Sequence, residues 1–399
     1  MSNFGKNTML NFDDAFEIVM SSARRLGAER VGIENALNRI LAEDVISDID
    51  LPPFNKSAMD GFACRRVDLT NKLTVIETIA AGLPPKKTIG QNQCAKIMTG
   101  AVVPAGADCV IMVEYTEKVG RNKNRFTADE TDDNICLKGE DVKKGDVVLR
   151  AGCKIAAQHI AVLATVGCIK PLVSLQPKVG VIATGNELVE PAFKPAPGQI
   201  RNSNGFQLAA HVINAAAIAT NYGIAADTKE ATDAKIKKAI AQNDVVILSG
   251  GVSEGDYDIV KNILKENNVK LLFEKVAVKP GRPMVFGICN EAFCFGLPGN
   301  PVSTFVMFEL LVKPFLYKMM GHDFKPAVSY RQLEKSIKRK KIERDSWMPA
   351  KFKENNKVAK IEYHGSAHIN ALCGADGLIC IPAGVAEIKK GDSVAVRQI

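Results

Sequence analysis

What the chain lacks narrows its chemistry first. Aromatic residues make up only 6% of the 399 positions and include a single tryptophan. The densest basic run, Lys335, Lys338, Arg339, Lys340, Lys341 and Arg344, has few rings beside it to stack bases. It therefore reads as a solvated strand or loop edge, and no nucleic-acid partner is expected. No G-x-x-x-x-G-K-[ST] stretch occurs, which disfavours a sugar or nucleoside kinase built on that loop. Ten cysteines are scattered through mostly apolar runs with no C-x-x-C spacing, the pattern of free buried thiols and not of a zinc site or disulfide framework. His364 and His368 are four residues apart, but Gly365 between them argues against a helix and no third ligand lies nearby in sequence, so no transition-metal site is expected there. The longest apolar stretch, Ile160 to Ile169, is too short to cross a bilayer. The segment Met1 to Lys6 carries no apolar signal. A cytoplasmic protein without a membrane partner is the expectation, and neither an internal repeat nor a low-complexity tract is visible.

What is present centres on Ser249-Gly250-Gly251-Val252-Ser253-Glu254-Gly255-Asp256. The run Asp244 to Leu248 before it is β-branched and apolar, as in a buried strand. The segment Tyr257 to Leu264 after it has apolar residues at 259, 260, 263 and 264, a helical spacing. Strand, glycine-rich loop and helix in that order bring backbone N–H groups and the positive end of a helix dipole toward an anion. A tight β–α turn with no ligand would use the same glycines, but the hydroxyls of Ser249 and Ser253 and the carboxylate of Asp256, a candidate metal ligand, favour a phosphorylated small molecule. Formal net charge is +8, which suits an anionic substrate or partner.

The neighbouring sequence repeats the alternation. Val179 to Ala183 reads as a strand, Gly205 to Ala217 as a helix and Ile218 to Ile224 as a weak strand. Thr232 is placed as N-cap of a helix over Asp233 to Gln242. Leu271 to Val278, Met284 to Phe286 and Ala292 to Phe295 read as further strands, and Asn300 to Met320 as a long apolar helix started by Pro301. Such alternation predicts a doubly wound parallel sheet covered on both faces, with ligands at the carboxyl ends of its strands. Thr184 to Glu187, Asp227, Ser249 to Asp256, Lys279 to Arg282 and Pro298 to Asn300 should then share one rim. The flanks differ. Residues 53 to 141 and 326 to 399 look β-rich, whereas Met9 to Leu26 and Gly32 to Ile46 read as amphipathic helices. A chain of this length exceeds one core, and two to four domains are expected.

These residues carry a resemblance. Pro53 to Ala63, Ile97 to Ala101, Lys138 to Asp141, Ala183 to Leu188, Ile200 to Asn204, Ser249 to Asp258, Lys279 to Pro283 and Leu297 to Ser303 occur in the order and spacing of the molybdopterin molybdenumtransferases, the MoeA and gephyrin E-domain family. The resemblance extends over about residues 10 to 399. It implies a multidomain α/β and mainly-β homodimer: a discontinuous linking domain (1–52 plus 142–175), a β-rich insert (53–141), an α/β molybdopterin-binding domain (176–325) and a C-terminal β-barrel-like domain (326–399). It implies insertion of molybdenum from molybdate into adenylylated molybdopterin, with Mg²⁺ required and AMP released. On the α/β rim it assigns Glu187, Asp227 and Asp256 to the metal, with Glu187 and Asp256 also catalytic. Asp60, Thr99 and Asp141 of the insert would approach from the partner subunit, Asp60 and Asp141 as catalytic groups. Thr184, Ser249, Gly250, Gly251, Ser253, Pro298 and Ser366 would line the substrate site, with Lys275, Lys279 and Arg282 as oxyanion donors. A molybdopterin adenylyltransferase and apo-molybdoenzymes become expected partners.

Two departures stand out. Arg282 replaces a frequent lysine, turning a point charge into a fork. In Trp347-Met348-Pro349-Ala350-Lys351 no arginine stands where relatives commonly carry one for molybdate, leaving Lys351 or Arg344 as substitutes. The competing reading of the same fold is a non-catalytic molybdopterin-binding or scaffold protein.

Overall fold

The computed structural model describes residues 9–251, 259–290 and 292–399. At the N-terminal end, α1 (Phe12–Ser22) is capped by Asn11, whose side chain accepts the Asp14 N–H at 2.8 Å. Its buried Ala15 and Val19 pack into the core of the central sheet. The expected helix over 32–46 does not form. Ile33–Asn35 makes one 3-10 turn, Asn38 takes a left-handed φ of 65°, and Ile40 and Leu41 bridge to Lys154 and Val173. The apolar spacing instead serves a small cluster around Leu41, Ile155, Leu163 and Val173, to which α2 (Ala157–Thr165) contributes.

The insert is a six-stranded sheet. Its strands are β1 (Gly61–Cys64), β2 (Lys72–Ile79), β3 (Gln93–Ile97), β4 (Cys109–Met112), β5 (Thr116–Gly120) and β6 (Lys123–Phe126), in the order β4-β1-β3-β2-β6-β5.

The central unit carries β7 (Lys178–Thr184), α3 (Ser203–Asn214), β8 (Ile218–Ala225), α4 (Lys229–Gln242), β9 (Val245–Ser249), α5 (Ile259–Glu266), β10 (Lys270–Lys275), β12 (Pro283–Ile288) and β13 (Phe293–Leu297). Its sheet order is β8-β7-β9-β13-β12-β10. The first four strands are mutually parallel, and β12 alone runs against both neighbours. The links into and out of β12 are too short for the helical crossover that a parallel strand needs. Alternation sends Val179, Val181, Val245 and Ile247 to one face and Ile182, Val246 and Leu248 to the other. Helix α4 starts earlier than expected. Thr228 caps it through the Ala231 N–H, while Thr232 is buried within the helix and its hydroxyl donates to the Ala226 carbonyl.

The expected long helix forms as α6 (Pro301–Met307), a π-helical turn Phe308–Val312 and α7 (Lys313–Met319). Glu309, only 3% exposed, pairs with Lys313 at 2.9 Å, and its backbone carbonyl accepts the Arg397 guanidinium. The Arg397 bond to that carbonyl joins the central unit to the last sheet.

That sheet contains β11 (Val278–Lys279), β14 (Val328–Leu333), β15 (Asp345–Lys353), β16 (Lys357–Lys360), β17 (Gly377–Ile381) and β18 (Ser393–Gln398). Strand β17 pairs back onto β15, closing five strands into a barrel, and β11 adds to the free side of β15. Arg339 of the basic run is not a solvated edge, because its guanidinium donates to the carbonyls of Pro382, Val385 and Arg344. Among the described residues, no helix is long and apolar enough to cross a membrane. None of the ten cysteines, all among the described residues, is in a disulfide. Only Cys64, Cys94, Cys109 and Cys294 are fully buried, and Cys373 is exposed.

Candidate active site

The carboxyl ends of β7, β8, β9 and β13 converge with the start of the reversed strand β12. Loops leaving these ends enclose a cavity of about 770 Å³. Thr184, Glu187, Asp227, Ser249, Gly250, Gly251 and Pro298, each expected at one rim, line it together. The rim is tied internally. The Gly250 N–H donates to Leu297 O at 3.1 Å, the Gly185 N–H to Ala225 O at 3.3 Å and the Thr184 hydroxyl to Ser249 O at 3.4 Å.

The two central glycines are needed for shape. Gly250 and Gly251 have φ of 93° and 64°. A Cβ on Gly250 would lie 2.6 Å from the Thr184 carbonyl oxygen, and one on Gly251 would lie 2.6 Å from Val260 Cγ2. Backbone this close to its neighbour strand leaves room for a ligand above it.

Asp227 has a structural partner as well as a cavity position. Its carboxylate accepts the Asn186 N–H at 3.1 Å, and its own N–H donates to Asn186 Oδ1 at 3.0 Å. This reciprocal pair fixes the loop bearing Glu187 against the loop after β8. Ser253 and Asp256 lie outside the described residues. Among the described residues, no cluster of three or more His, Cys, Asp or Glu forms a metal cage.

Asn204 is a residue that sequence reasoning quoted in a motif without giving it a role. From the first turn of α3 its Nδ2 donates to Ser249 Oγ at 2.8 Å and to Gly299 O at 2.7 Å, linking three loops. Asn202, 1% exposed, caps α3 by accepting the Gly205 N–H. The signal available was an Asn-Ser-Asn run before a helical pattern, a cap signature. The barrel supplies the remaining wall through Ala367 and Ile369. Ser366 acts just behind it: its hydroxyl accepts from Asn300 Nδ2 at 2.9 Å and its carbonyl accepts the Val302 N–H at 2.9 Å.

Lys275, Lys279 and Arg282 do not line the cavity, although Pro283 does. Lys275 ends β10, and Lys279 and Arg282 occupy the segment between β10 and β12. Strand β11, within that segment, pairs with the start of β15 in the register Val278 to Asp345 and Lys279 to Ser346. Arg344 is thereby drawn to the loop, with Nη1 3.5 Å from Val278 O. Burial lowers its pKa and the nearby charge of Arg282 lowers it further. Lys351 lies farther along β15, opposite Ala359 and exposed. Pro349 is buried opposite Leu378.

Asp60, Thr99 and Asp141 do not reach this cavity within the chain. Asp60 Oδ1 accepts the Thr99 N–H at 2.6 Å and the Thr99 hydroxyl at 2.9 Å. These bonds, the amide first and the hydroxyl second, hold the Asp60 carboxyl below its ordinary value of 3.8. Asp141 is exposed, with its N–H donated to Leu51 O at 3.0 Å. Phe54, Met59 and Met98 near the Asp60–Thr99 pair are 38%, 40% and 42% exposed.

Comparison with known proteins decides the family. Residues 10–167 match the model of the MoeA N-terminal region (domain I and II), 180–318 a probable molybdopterin binding domain and 332–399 the MoeA C-terminal region (domain IV). The chain belongs to the MoeA family of molybdopterin molybdenumtransferases. The molybdopterin molybdenumtransferase of Staphylococcus epidermidis is 35% identical, over 98% of this chain and 96% of that relative. The Bacillus subtilis enzyme of the same name is 34% identical, over 99% and 95%. The crystal structure of a molybdopterin biosynthesis MoeA protein from Pyrococcus horikoshii superimposes with a TM-score of 0.86 at 30% identity, over 98% of this chain and all of that one. The chain is thus a transferase of molybdenum cofactor biosynthesis, with the family's α/β unit, β-rich flanks and C-terminal barrel.

Proposed function

We propose that the cavity on the α/β rim binds adenylylated molybdopterin and that molybdate is the metal donor. Molybdenum enters the dithiolene and AMP leaves. The observation that carries this reading is the convergence of ten expected rim residues on one cavity, with backbone at left-handed glycines among its lining. A pyrophosphate linkage needs N–H donors at close approach, and such backbone supplies them.

Glu187 and Asp227 present carboxylate oxygens to the same cavity, a donor set suited to a hard divalent cation. With Asp256 of the same glycine-rich loop they would hold Mg²⁺, which when bound neutralises the phosphoryl oxygens. Lys275, Lys279, Arg282 and Ser366 would serve the oxyanion, and Arg344 takes the part of the arginine missing from the Trp347–Lys351 stretch. The β11–β15 register brings Arg344, and not Lys351, beside that loop.

The site is completed by a second subunit. Asp60, Thr99 and Asp141 do not line the cavity of their own chain, and Met59 and Met98, adjacent in sequence to Asp60 and Thr99, are exposed. Cytoplasmic delivery of the product to apo-molybdoenzymes follows from the family's place in cofactor synthesis. The test combines purified protein, adenylylated molybdopterin, Mg²⁺ and molybdate and follows AMP. Release that depends on both molybdate and Mg²⁺ is expected. Tight nucleotide binding without release would leave the binding-protein reading in its place.

A further inference from the structure

Three thiols stand in a row across the insert sheet. In the strand register Cys64 of β1 faces Cys94 of β3 on one side and Cys109 of β4 on the other. All three are fully buried in one small apolar cluster with Phe62, Leu73 and Ile111. The Sγ atoms of Cys64 and Cys109 are 3.7 Å apart and share a hydrogen bond. A disulfide requires about 2.05 Å, so the closure needed is about 1.7 Å, within reach of side-chain rotation on neighbouring strands.

The three thiols are not equivalent. The hydrogen bond from Cys64 holds the Cys109 thiol below its ordinary value, and the same bond together with burial pushes Cys64 up. Burial pushes Cys94 up to about 12. The thiolate is the reactive form, so Cys109 is the nucleophile of the row. Its strand, β4, is an edge strand of the sheet, four residues long and held on its outer side by bonds to Asp133 and Asn134, so local opening there would admit a small oxidant.

We propose that Cys64 and Cys109 are an oxidative modification site that closes to a disulfide under peroxide and thereby acts on the Asp60–Thr99 pair. In the first step the Cys109 thiolate attacks one peroxide oxygen. An S–O bond forms, the O–O bond breaks and hydroxide leaves, taking up a proton. In the second step the Cys64 sulfur attacks the Cys109 sulfur. The S–S bond forms, the S–O bond breaks and a second water leaves with the Cys64 proton. Two thiols and one peroxide give one disulfide and two waters.

The link to the site is covalent and short. Strand β1 begins at Gly61, directly after Asp60, and β3 ends at Ile97, two residues before Thr99. At the far end of β4 the Val113 N–H donates to the Asp60 carbonyl at 3.1 Å. Drawing β1 and β4 together at Cys64–Cys109 therefore acts on the Asp60 end of the Asp60–Thr99 bond from two sides, along the chain and through the Val113 N–H, while Thr99 is carried by β3. This second half rests on the reading that Asp60 and Thr99 complete the active site.

The experiment treats the full-length protein with hydrogen peroxide, then unfolds, alkylates and maps it by mass spectrometry. Exposed Cys373 is the internal standard of oxidant dose. A linked Cys64–Cys109 peptide, two hydrogens lighter and reversed by dithiothreitol, is expected. It should persist in Cys94→Ala and vanish in Cys109→Ala. Complete alkylation of Cys64 and Cys109 at a dose that consumes Cys373 overturns the site, as does linkage of Cys64 to Cys94. The wild-type map answers this even if a variant fails to fold. Amide exchange at Thr99 should rise about tenfold in the oxidised protein. Unchanged exchange alongside a formed disulfide removes the coupling to Asp60. Neither readout uses substrate, so failure here is distinct from failure of the transferase reading.

Discussion

The rim of the central sheet and the tip of the insert solve the same problem in opposite ways. At the rim, neighbouring loops are tied by backbone bonds, the lining includes glycine backbone, and Asn204 and the Asn186–Asp227 pair fasten the edges. At the tip, one exposed carboxylate is fixed by one threonine, with exposed Met59 and Met98 adjacent in sequence. The rim is a finished container. The tip is a preset charge with nothing of its own to act on. On the proposal that a second subunit completes the site, its shape would come from one subunit and part of its chemistry from another, and association and activity would be linked.

The largest effect should come from cutting the two halves separately. Asp60→Asn and Glu187→Gln should each reduce AMP release at least about a hundredfold, the scale of losing one preorganised charged group. Mixing the two inactive proteins under subunit exchange should restore about a quarter of the wild-type sites, because half the dimers are mixed and one of their two sites is intact. No recovery despite demonstrated exchange would show that both halves act within one chain.

Next in size is the container itself. Gly250→Ala places a Cβ 2.6 Å from the Thr184 carbonyl at a φ of 93°. A cost of about 1–3 kcal/mol is expected, seen as a fall of several degrees in Tm together with weaker nucleotide binding. An unchanged melting curve would mean that the loop has another conformation open to it.

Lys279→Ala sharpens the assignment within the container. It should raise the molybdate concentration for half-maximal rate about tenfold, equivalent to about 1.4 kcal/mol, and change affinity for adenylylated molybdopterin much less. Equal losses for both ligands would move Lys279 to the phosphates.

The smallest effect is at the tip. Thr99→Val removes the hydroxyl donor but keeps the amide, so the Asp60 carboxyl should rise part of the way toward 3.8, measured by carboxylate NMR titration. The sign follows from a depressed folded-state value. The contribution of the Thr99 bonds to stability is full above 3.8 and is lost as pH falls through the lower folded value. A pKa that does not move would assign the whole effect to the backbone amide.

The rim was legible because each of its residues follows a strand, and strand order alone sends strand ends to one side. The reversal of β12 did not spoil this, since a reversed strand presents its start where the others present their ends. Gly32 to Ile46 misled because its apolar spacing mimics a helix, while its actual partners, Lys154 and Val173, are far away in sequence. Thr232 misled for a local reason: two threonines four apart compete for one cap, and Thr228 holds it. The Asn-Ser-Asn run announced the cap at Asn202 but not the role of Asn204, whose importance lies in bonds to residues 45 and 95 positions away. The place of Arg344 depends likewise on pairing between β11 and β15.

The grip of Ser366 on the start of α6 has a consequence for modular exchange. Asn300 spends its side chain on the barrel's serine, and the barrel's carbonyl takes the Val302 N–H. The barrel is therefore bonded to the start of the helix whose Pro301 lines the cavity. Transplanting a barrel from a relative would replace Ala367 and Ile369 together with the Ser366 contact to Asn300, and so would recut one wall of the cavity while leaving the strand ends of the rim in place.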